Sequence, residues 1–353
     1  MSKIILTGGG TAGHVTPNIA LLPGLRAAGF EIRYVGSYNG MEKTLIEKEG
    51  VPYSGIATGK LRRYFDWKNF TDPFRVVKGY FQARAIVKEY QPDIVFSKGG
   101  FVSVPVVLAA KHYGVPVIIH ESDMTPGLAN RISLSAATKV CCNFPETVEH
   151  LPKGKAVLSG SPIRKELLEG SRLAGLNFTG LSAGKPILLM MGGSTGSRAV
   201  NKALRAILPE LLKEFQVIHL CGKGNLDSSL NMEGYCQYEY ISEQLKDLMA
   251  AADIVLSRAG ANAICELLAL HKPNILIPLP ASVSRGDQIL NARSFEKQGF
   301  SCVLDEEKVT DDLLLETIRS VYTNRSRYIA AMENSSQTNG VDVILNLIQE
   351  LAG

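Results

Sequence analysis

A chain of 353 residues with 45% apolar residues has room for two folded domains, each with its own core. A formal net charge of +4 is too small to argue for nucleic acid, so any basic surface must be local. No apolar run is long enough to span a bilayer, and the six cysteines, without a Cys-x-x-Cys spacing, read as reduced, mostly buried thiols of a cytosolic protein.

The first predicted strand, 3–7, starts so near the first residue that no signal peptide is expected. It runs into Gly8-Gly9-Gly10-Thr11-Ala12-Gly13-His14. Further strands are predicted at 32–35, 93–96, 116–120 and 139–142, with helices at 18–28, 41–49, 74–90 and 104–113 between them. Gly160-Ser161-Pro162-Ile163-Arg164 breaks the pattern and reads as a hinge, and 170–185 reads as a variable loop. The second half repeats the alternation, with strands at 187–191, 216–220, 254–256 and 274–277 and helices at 199–213, 261–269 and 288–298. Val341, Ile344, Leu345, Leu347, Ile348 and Leu351 give the tail an apolar helical face that must dock. Short apolar strands alternating with helices imply parallel sheets buried on both faces. The expected fold class is α/β, with two Rossmann-like doubly wound domains facing across a cleft. The first spans 1–163, the second 164–337, and the last helix (338–353) returns to the first.

Three glycine loops follow strands and open helices: Gly8–His14, Ser97-Lys98-Gly99-Gly100-Phe101-Val102-Ser103, and Gly192-Gly193-Ser194-Thr195-Gly196. Such loops are either tight strand-to-helix turns or phosphate cradles, where the backbone approaches an anion and a helix start aims N–H groups at it. Gly8-x-Gly10-x-x-Gly13 formally matches the dinucleotide fingerprint. The second strand, however, ends Tyr34-Val35-Gly36-Ser37-Tyr38 without the acid that a ribose needs, which argues against a nicotinamide site. The Walker pattern fails because His14 replaces its lysine. His14 stands where ligands collect, and a neutral imidazole there can accept a proton from an attacking hydroxyl. Glu266, early in the helix after Ser257-Arg258-Ala259-Gly260, is either a helix-start carboxylate or the acceptor for a ribose diol, with the Ala261 and Asn262 amides near a pyrophosphate. No Asp-x-Asp pair is present, so leaving-group charge is expected to rest on helix starts and side-chain donors, with no metal.

The 60–70 segment interleaves aromatics with cations and holds the single tryptophan, Trp67. Phe70, Phe74, Val77 and Phe81 then recur at helical spacing among Arg75, Lys78, Arg84 and Lys88. This is either a core-facing stripe with snorkelling cations or a patch for an anionic lipid surface.

Taken in order, Gly9-Gly10-Thr11-Ala12-Gly13-His14-Val15-x-Pro17, Gly99–Ser103, His120-Glu121-Ser122-Asp123, Gly192-Gly193-Ser194-x-Gly196, Arg258–Glu266 and Asp287-Gln288-x-x-Asn291-Ala292 closely resemble the MurG family of peptidoglycan N-acetylglucosaminyltransferases. The resemblance runs from about Lys3 to the last helix. It implies a GT-B fold and an inverting transfer of N-acetylglucosamine from UDP-GlcNAc to lipid I, giving lipid II for cell-wall growth, shape and division. UDP-GlcNAc is then a substrate, no cofactor is required, and the place of work is the cytoplasmic face of the membrane, peripherally. By the same resemblance Thr11, Ala12, Gly13, Arg164, Ser194, Ile241, Ala261, Asn262, Glu266, Asp287 and Gln288 contact the donor. Gly10, Gly13, Gly99 and Gly100 face the acceptor diphosphate, and Trp67, Phe70, Phe74, Val77 and Phe81 form the membrane patch. The general base is His14 or Asp123. Ala12, Asp123 and Asp287 depart from the commonest residues of the family, and the two acids add carboxylates near the expected sugar site. Three rival readings differ in acceptor or class: a transferase acting on another lipid such as diacylglycerol, a nicotinamide-dependent oxidoreductase, and a non-catalytic sugar-nucleotide sensor.

Overall fold

The computed structural model describes residues 1–59, 68–193, 196–284, 286–335, 337 and 340–353, with 68–74 described by backbone alone. The chain divides into two compact units, Met1–Arg164 with Asn339–Gly353, and Lys165–Thr338.

The first unit holds β1 (Lys3–Thr7), β2 (Glu31–Ser37), β3 (Tyr53–Ile56), β4 (Ile94–Ser97), β5 (Val117–Glu121), β6 (Lys139–Cys142) and β7 (Ala156–Leu158). They form one parallel sheet in the order β3-β2-β1-β4-β5-β6-β7. Successive strand residues point to opposite faces, so a strand covered on both sides must be apolar throughout. In β1, Ile4 and Leu6 pack with Leu21, Leu25, Ile344 and Ile348, whereas Ile5 packs on the other face with Val95, Val106 and Val117. The tail helix, Gly340–Ala352, thus docks on the first unit, and Gly24 is the glycine over which Leu345 sits.

The second unit is built the same way. Its strands, β8 (Ile187–Met191), β9 (Gln216–Leu220), β10 (Tyr235–Tyr238), β11 (Ile254–Ser257), β12 (Asn274–Leu276) and β13 (Ser301–Val303), run parallel in the order β10-β9-β8-β11-β12-β13. In both sheets the order reverses between neighbours, at β1/β4 and at β8/β11. The crevice at such a reversal is where doubly wound sheets bind ligands. The register levels the strand ends there: Thr7 pairs with Ser97, and Met191 with Ser257. Each switch point is therefore flanked by two glycine-bearing loops.

Several expectations need correction. The sequence reading missed β3, β7, β10 and β13, which are the outer strands of their sheets, only three or four residues long, and mostly half-buried rather than continuously apolar. The expected loop at 170–185 contains a helix, Arg172–Thr179, started by the Ser171 side chain and stopped by Gly180 at φ +70. Gly175 lets that helix lie against the backbone of Asp247. The helix expected at 74–90 begins earlier, at Lys68. Of the cysteines, all of them free thiols, Cys236 and Cys302 are only half-buried.

Candidate active site

At the first switch point a cavity of about 570 Å³ is lined by Gly9, Gly10, Thr11, His14, Ser37, Glu42, Arg75 and Gly100, among others. Gly100 can close against the first loop because it has no side chain and sits at φ +83; a Cβ there would stand 2.5 Å from the Gly9 carbonyl and 3.4 Å from His14 Nδ1. His14 ends a short 3-10 turn, Ala12–His14. Its Nδ1 lies 3.1 Å from the Gly9 carbonyl and 3.1 Å from Thr11 Oγ1. A carbonyl can only accept, so Nδ1 carries the hydrogen and Nε2 keeps the lone pair. Burial, helped by the positive charge of Lys98, lowers the His14 pKa to about 4 against the pull of the Gly9 bond and of Glu42. The ring is a neutral proton acceptor at physiological pH.

Sequence reasoning missed Glu42. The second strand lacks a terminal acid in sequence, but the helix Met41–Lys48 returns one to that place in space. The Glu42 side chain is fully buried, and its carboxylate accepts from Ser37 N at 3.1 Å, Ser37 Oγ at 2.5 Å and Gly10 N at 3.3 Å. Its oxygens are thereby committed to the loops. A signal was present in Gly9 and Gly40, whose missing side chains make the space for this carboxylate. The consequence departs from expectation: the Gly10 amide, assigned to an acceptor diphosphate, already donates to Glu42. Gly99 N likewise donates to Ser97 Oγ at 3.2 Å.

The neighbouring loop is built on buried polar groups. Glu121, at the end of β5, accepts from Asp123 N at 3.0 Å, Gly127 N at 2.9 Å and Asn130 Nδ2 at 2.9 Å. Burial raises its pKa in spite of those bonds. Asp123 is half-buried on this loop and, among the described residues, does not line the His14 cavity. Neither Ala12 nor Gly13 lines it, while Thr11 does.

At the second switch point a cavity of about 450 Å³ brings together Gly192, Gly193, Ile241, Arg258, Gly260, Glu266 and Gln288 with apolar Met191, Leu220, Leu245 and Leu279. The helix Ala261–Ala269 begins at Gly260, which has no side chain to cap it, and Glu266 sits one turn further along, facing the cavity. Gln288 is held by accepting from Leu279 N at 3.1 Å. Arg258 is anchored to the Ile277 and Pro278 carbonyls at 3.0 and 3.2 Å, to Ser197 Oγ at 2.6 Å, and to Glu306. Ala261 is buried, and neither it nor Asn262 nor Asp287 lines the cavity. Arg164 ends the first segment of the first unit, and its Nε is buried with no hydrogen-bond partner among the described residues. Ser194 lies outside the described residues. Among the described residues no three His, Cys, Asp or Glu side chains cluster as metal ligands.

The exposed helix face also resolves one alternative. Within Lys68–Tyr90 the core contacts come from Ala83, Val87 and Tyr90, while Val77 is 55% and Phe81 58% exposed, so these two do not form a core-facing stripe. They border a shallow groove with Val76, Tyr80, Leu108, Lys111 and His112. The side chains of Phe70 and Phe74, and Trp67 altogether, lie outside the described residues. No described helix is long and apolar enough to cross a membrane.

Two doubly wound units with ligand-side glycine loops are the architecture of a GT-B glycosyltransferase. Residues 4–142 match the glycosyltransferase family 28 N-terminal domain and residues 187–348 the glycosyltransferase family 28 C-terminal domain. The chain is 64% identical over 351 residues to the UDP-N-acetylglucosamine–N-acetylmuramyl-(pentapeptide) pyrophosphoryl-undecaprenol N-acetylglucosamine transferase of Lachnospira eligens, and 63% identical over 352 residues to that of Lachnoclostridium phytofermentans. Both matches cover 99% of this chain and of the relative. Among solved structures, Acinetobacter baumannii MurG is similar at TM-score 0.76 and 25% identity, over 99% of this chain and 100% of that one. A glycotransferase of kitacinnamycin, at TM-score 0.77 but 14% identity, covering 100% of this chain and 99% of its own, shares the fold alone. This chain belongs to the MurG family of N-acetylglucosamine transferases.

Proposed function

We propose that this enzyme transfers N-acetylglucosamine from UDP-GlcNAc to the muramoyl 4-hydroxyl of undecaprenyl-diphospho-muramoylpentapeptide, with inversion at the anomeric carbon. The observation that carries the reading is full-length identity above 60% to relatives named for that transfer. The local chemistry supports it. In the second unit the apolar walls and Ile241 flank the uracil, Glu266 accepts from the ribose diol, and the start of Ala261–Ala269 faces the diphosphate. Gln288 holds the sugar, with Asp287 beside it. Ser194, Asn262 and Arg164 complete the donor contacts.

In the first unit His14 is the general base, favoured over Asp123 because it lines the cavity and its Nε2 carries the lone pair. The hydroxyl oxygen bonds to the anomeric carbon from the face opposite UDP, its proton passes to Nε2, and the electron pair of the breaking C–O bond leaves with UDP. The acceptor diphosphate rests against the Gly10–Gly13 and Gly99–Gly100 loops, of which Gly10 and Gly100 line the cavity; the Gly10 and Gly99 amides themselves are engaged by Glu42 and Ser97. Exposed Val77 and Phe81, with exposed Arg75 and Lys78 beside them, touch the anionic cytoplasmic surface that carries the acceptor. The family resemblance assigns Trp67, Phe70 and Phe74 to the same patch.

The direct test incubates the protein with UDP-GlcNAc and a short-chain lipid I analogue. Disaccharide product and equimolar UDP are expected. UDP-GlcNAc binding without turnover would favour a sensor, and product on diacylglycerol alone would move the acceptor to another lipid. For the surface, Val77→Ser with Phe81→Ser is expected to weaken sedimentation with phosphatidylglycerol vesicles while leaving turnover of a detergent-soluble acceptor unchanged.

A further inference from the structure

Lys98 has no part in the assignments above, yet it is 1% exposed beside the reacting histidine. Burying an ammonium is costly unless it is paired and hydrogen-bonded, so its surroundings carry information. Its amide donates to Thr7 O at 2.9 Å, and its Cβ lies 3.2 Å from the position that a Cβ on Gly8 would take, which places it against the first glycine loop. Its Nζ donates to His120 Nδ1 at 2.9 Å and to Ser122 Oγ. An ammonium can only donate, so His120 Nδ1 is the acceptor and Nε2 carries the hydrogen, which is donated to the Gly160 carbonyl at 3.0 Å. Lys98 therefore packs against the first glycine loop, binds the Ser122 turn and, by way of His120, reaches Gly160.

We propose that Lys98 is a positioning residue for the transfer: its buried ammonium fixes the His120 tautomer that binds Gly160 and keeps His14, on the adjoining loop, free of a proton. This rests on His14 being the base. The charged and titratable groups facing His14 are Lys98, Glu42 from the helix Met41–Lys48, and Arg75 from Lys68–Tyr90. Glu42 opposes Lys98, but its carboxylate is held by Ser37 and Gly10. His120 faces Lys98 and, across the β5–β6 register, the buried Cys141 thiol. Burial and Lys98 both push the His14 and His120 pKa values down.

Histidine ring nitrogens, followed by NMR as pH is lowered, test this in the whole protein. In the unaltered chain His14 should hold its Nδ1–H form to near pH 4 and His120 its Nε2–H form. Protonation of His14 near 6.5 would overturn the proposal without any variant. Lys98→Met, of similar length and without charge, should raise the proton affinity of His14 about tenfold or more. The acid limb of kcat/KM should move up in pH with it. Lys98→Arg should restore the low midpoint. A folded Lys98→Met protein with unchanged histidine midpoints would overturn the proposal. Midpoints that move while the kinetic limb stays would support Lys98 as the tuning group and count against His14 as the base, which separates the two failures.

Discussion

The two switch points are the same device carrying different chemistry. In each, the strand order reverses beside the first strand of the sheet and two glycine-bearing loops leave at one level. The first is crowded with buried titratable groups, Glu42, Lys98, His120 and Glu121, around a half-buried His14 whose neutral imidazole faces a cavity. The second is walled by Met191, Leu220, Leu245 and Leu279, and its polar lining includes Glu266, Gln288 and an arginine, Arg258, fastened to carbonyls and Glu306. A site that must move a proton needs groups with shifted proton affinity, whereas a site that holds a planar base and a diphosphate needs apolar walls and fixed donors. A shared fold therefore does not divide the labour; the side chains that return to the loops do.

The sharpest break in the comparison comes from removing the proposed base. His14→Ala should lower kcat by about 10²- to 10⁴-fold, with the KM for UDP-GlcNAc little changed, by steady-state UDP release. Near-normal turnover would demote His14 to a binding role. Glu266→Ala should act in the opposite sense, raising the donor KM about 10- to 100-fold through lost hydrogen bonds to a carboxylate, with less effect on kcat.

The two loops should also differ in stability. Gly193, at φ +82 with open space where a Cβ would go, should lose about 1–2 kcal/mol on change to alanine from backbone strain alone. Gly100 has similar strain and the close Gly9 carbonyl, so its alanine variant should lose about 1–3 kcal/mol more in urea unfolding. Equal losses would mean that the first loop yields more readily than its packing indicates.

A pH dependence draws on both units. His14 titrates near 4 and His219 near 3 in the folded chain, both below the ordinary 6.5. His219 is buried, accepting from Tyr235 OH at 2.9 Å and donating to Asn201 Oδ1 at 3.0 Å. The unfolded chain binds these protons first, so their contribution to stability is complete above about 6.5 and declines as pH falls toward 4 for His14 and 3 for His219. Urea midpoints at pH 7 and 4.5 should differ, and His14→Ala should reduce the difference.

Local pattern was enough for the sheet class, because a strand buried on both faces must be a short apolar run and a glycine cluster after it must be a turn into a helix. Of the residues singled out in ordered motifs, His14 lines the first cavity and Glu266 and Gln288 the second, which Ile241, named through the family resemblance, also lines. Local pattern was not enough for the outer strands, whose half-exposed residues carry no strong period, or for Arg172–Thr179, whose caps are clear only once the helix is seen packed on Asp247. Nor could spacing reveal that Glu42 occupies the place of the missing strand-end acid and takes the Gly10 amide.

The order of residues by itself determined two parallel α/β units, the glycine turns at their strand ends, and the family to which they belong, because periodicity and backbone permissiveness are local properties. Which amides remain available to a diphosphate, which imidazole nitrogen keeps its lone pair, and which cation governs it were decided only by tertiary structure. Those depend on burial and on groups brought together from up to 84 positions apart, as Glu42 is with Gly10, 32 positions away, and Lys98 with His120 and His14, 22 and 84 positions away, about which sequence spacing says nothing.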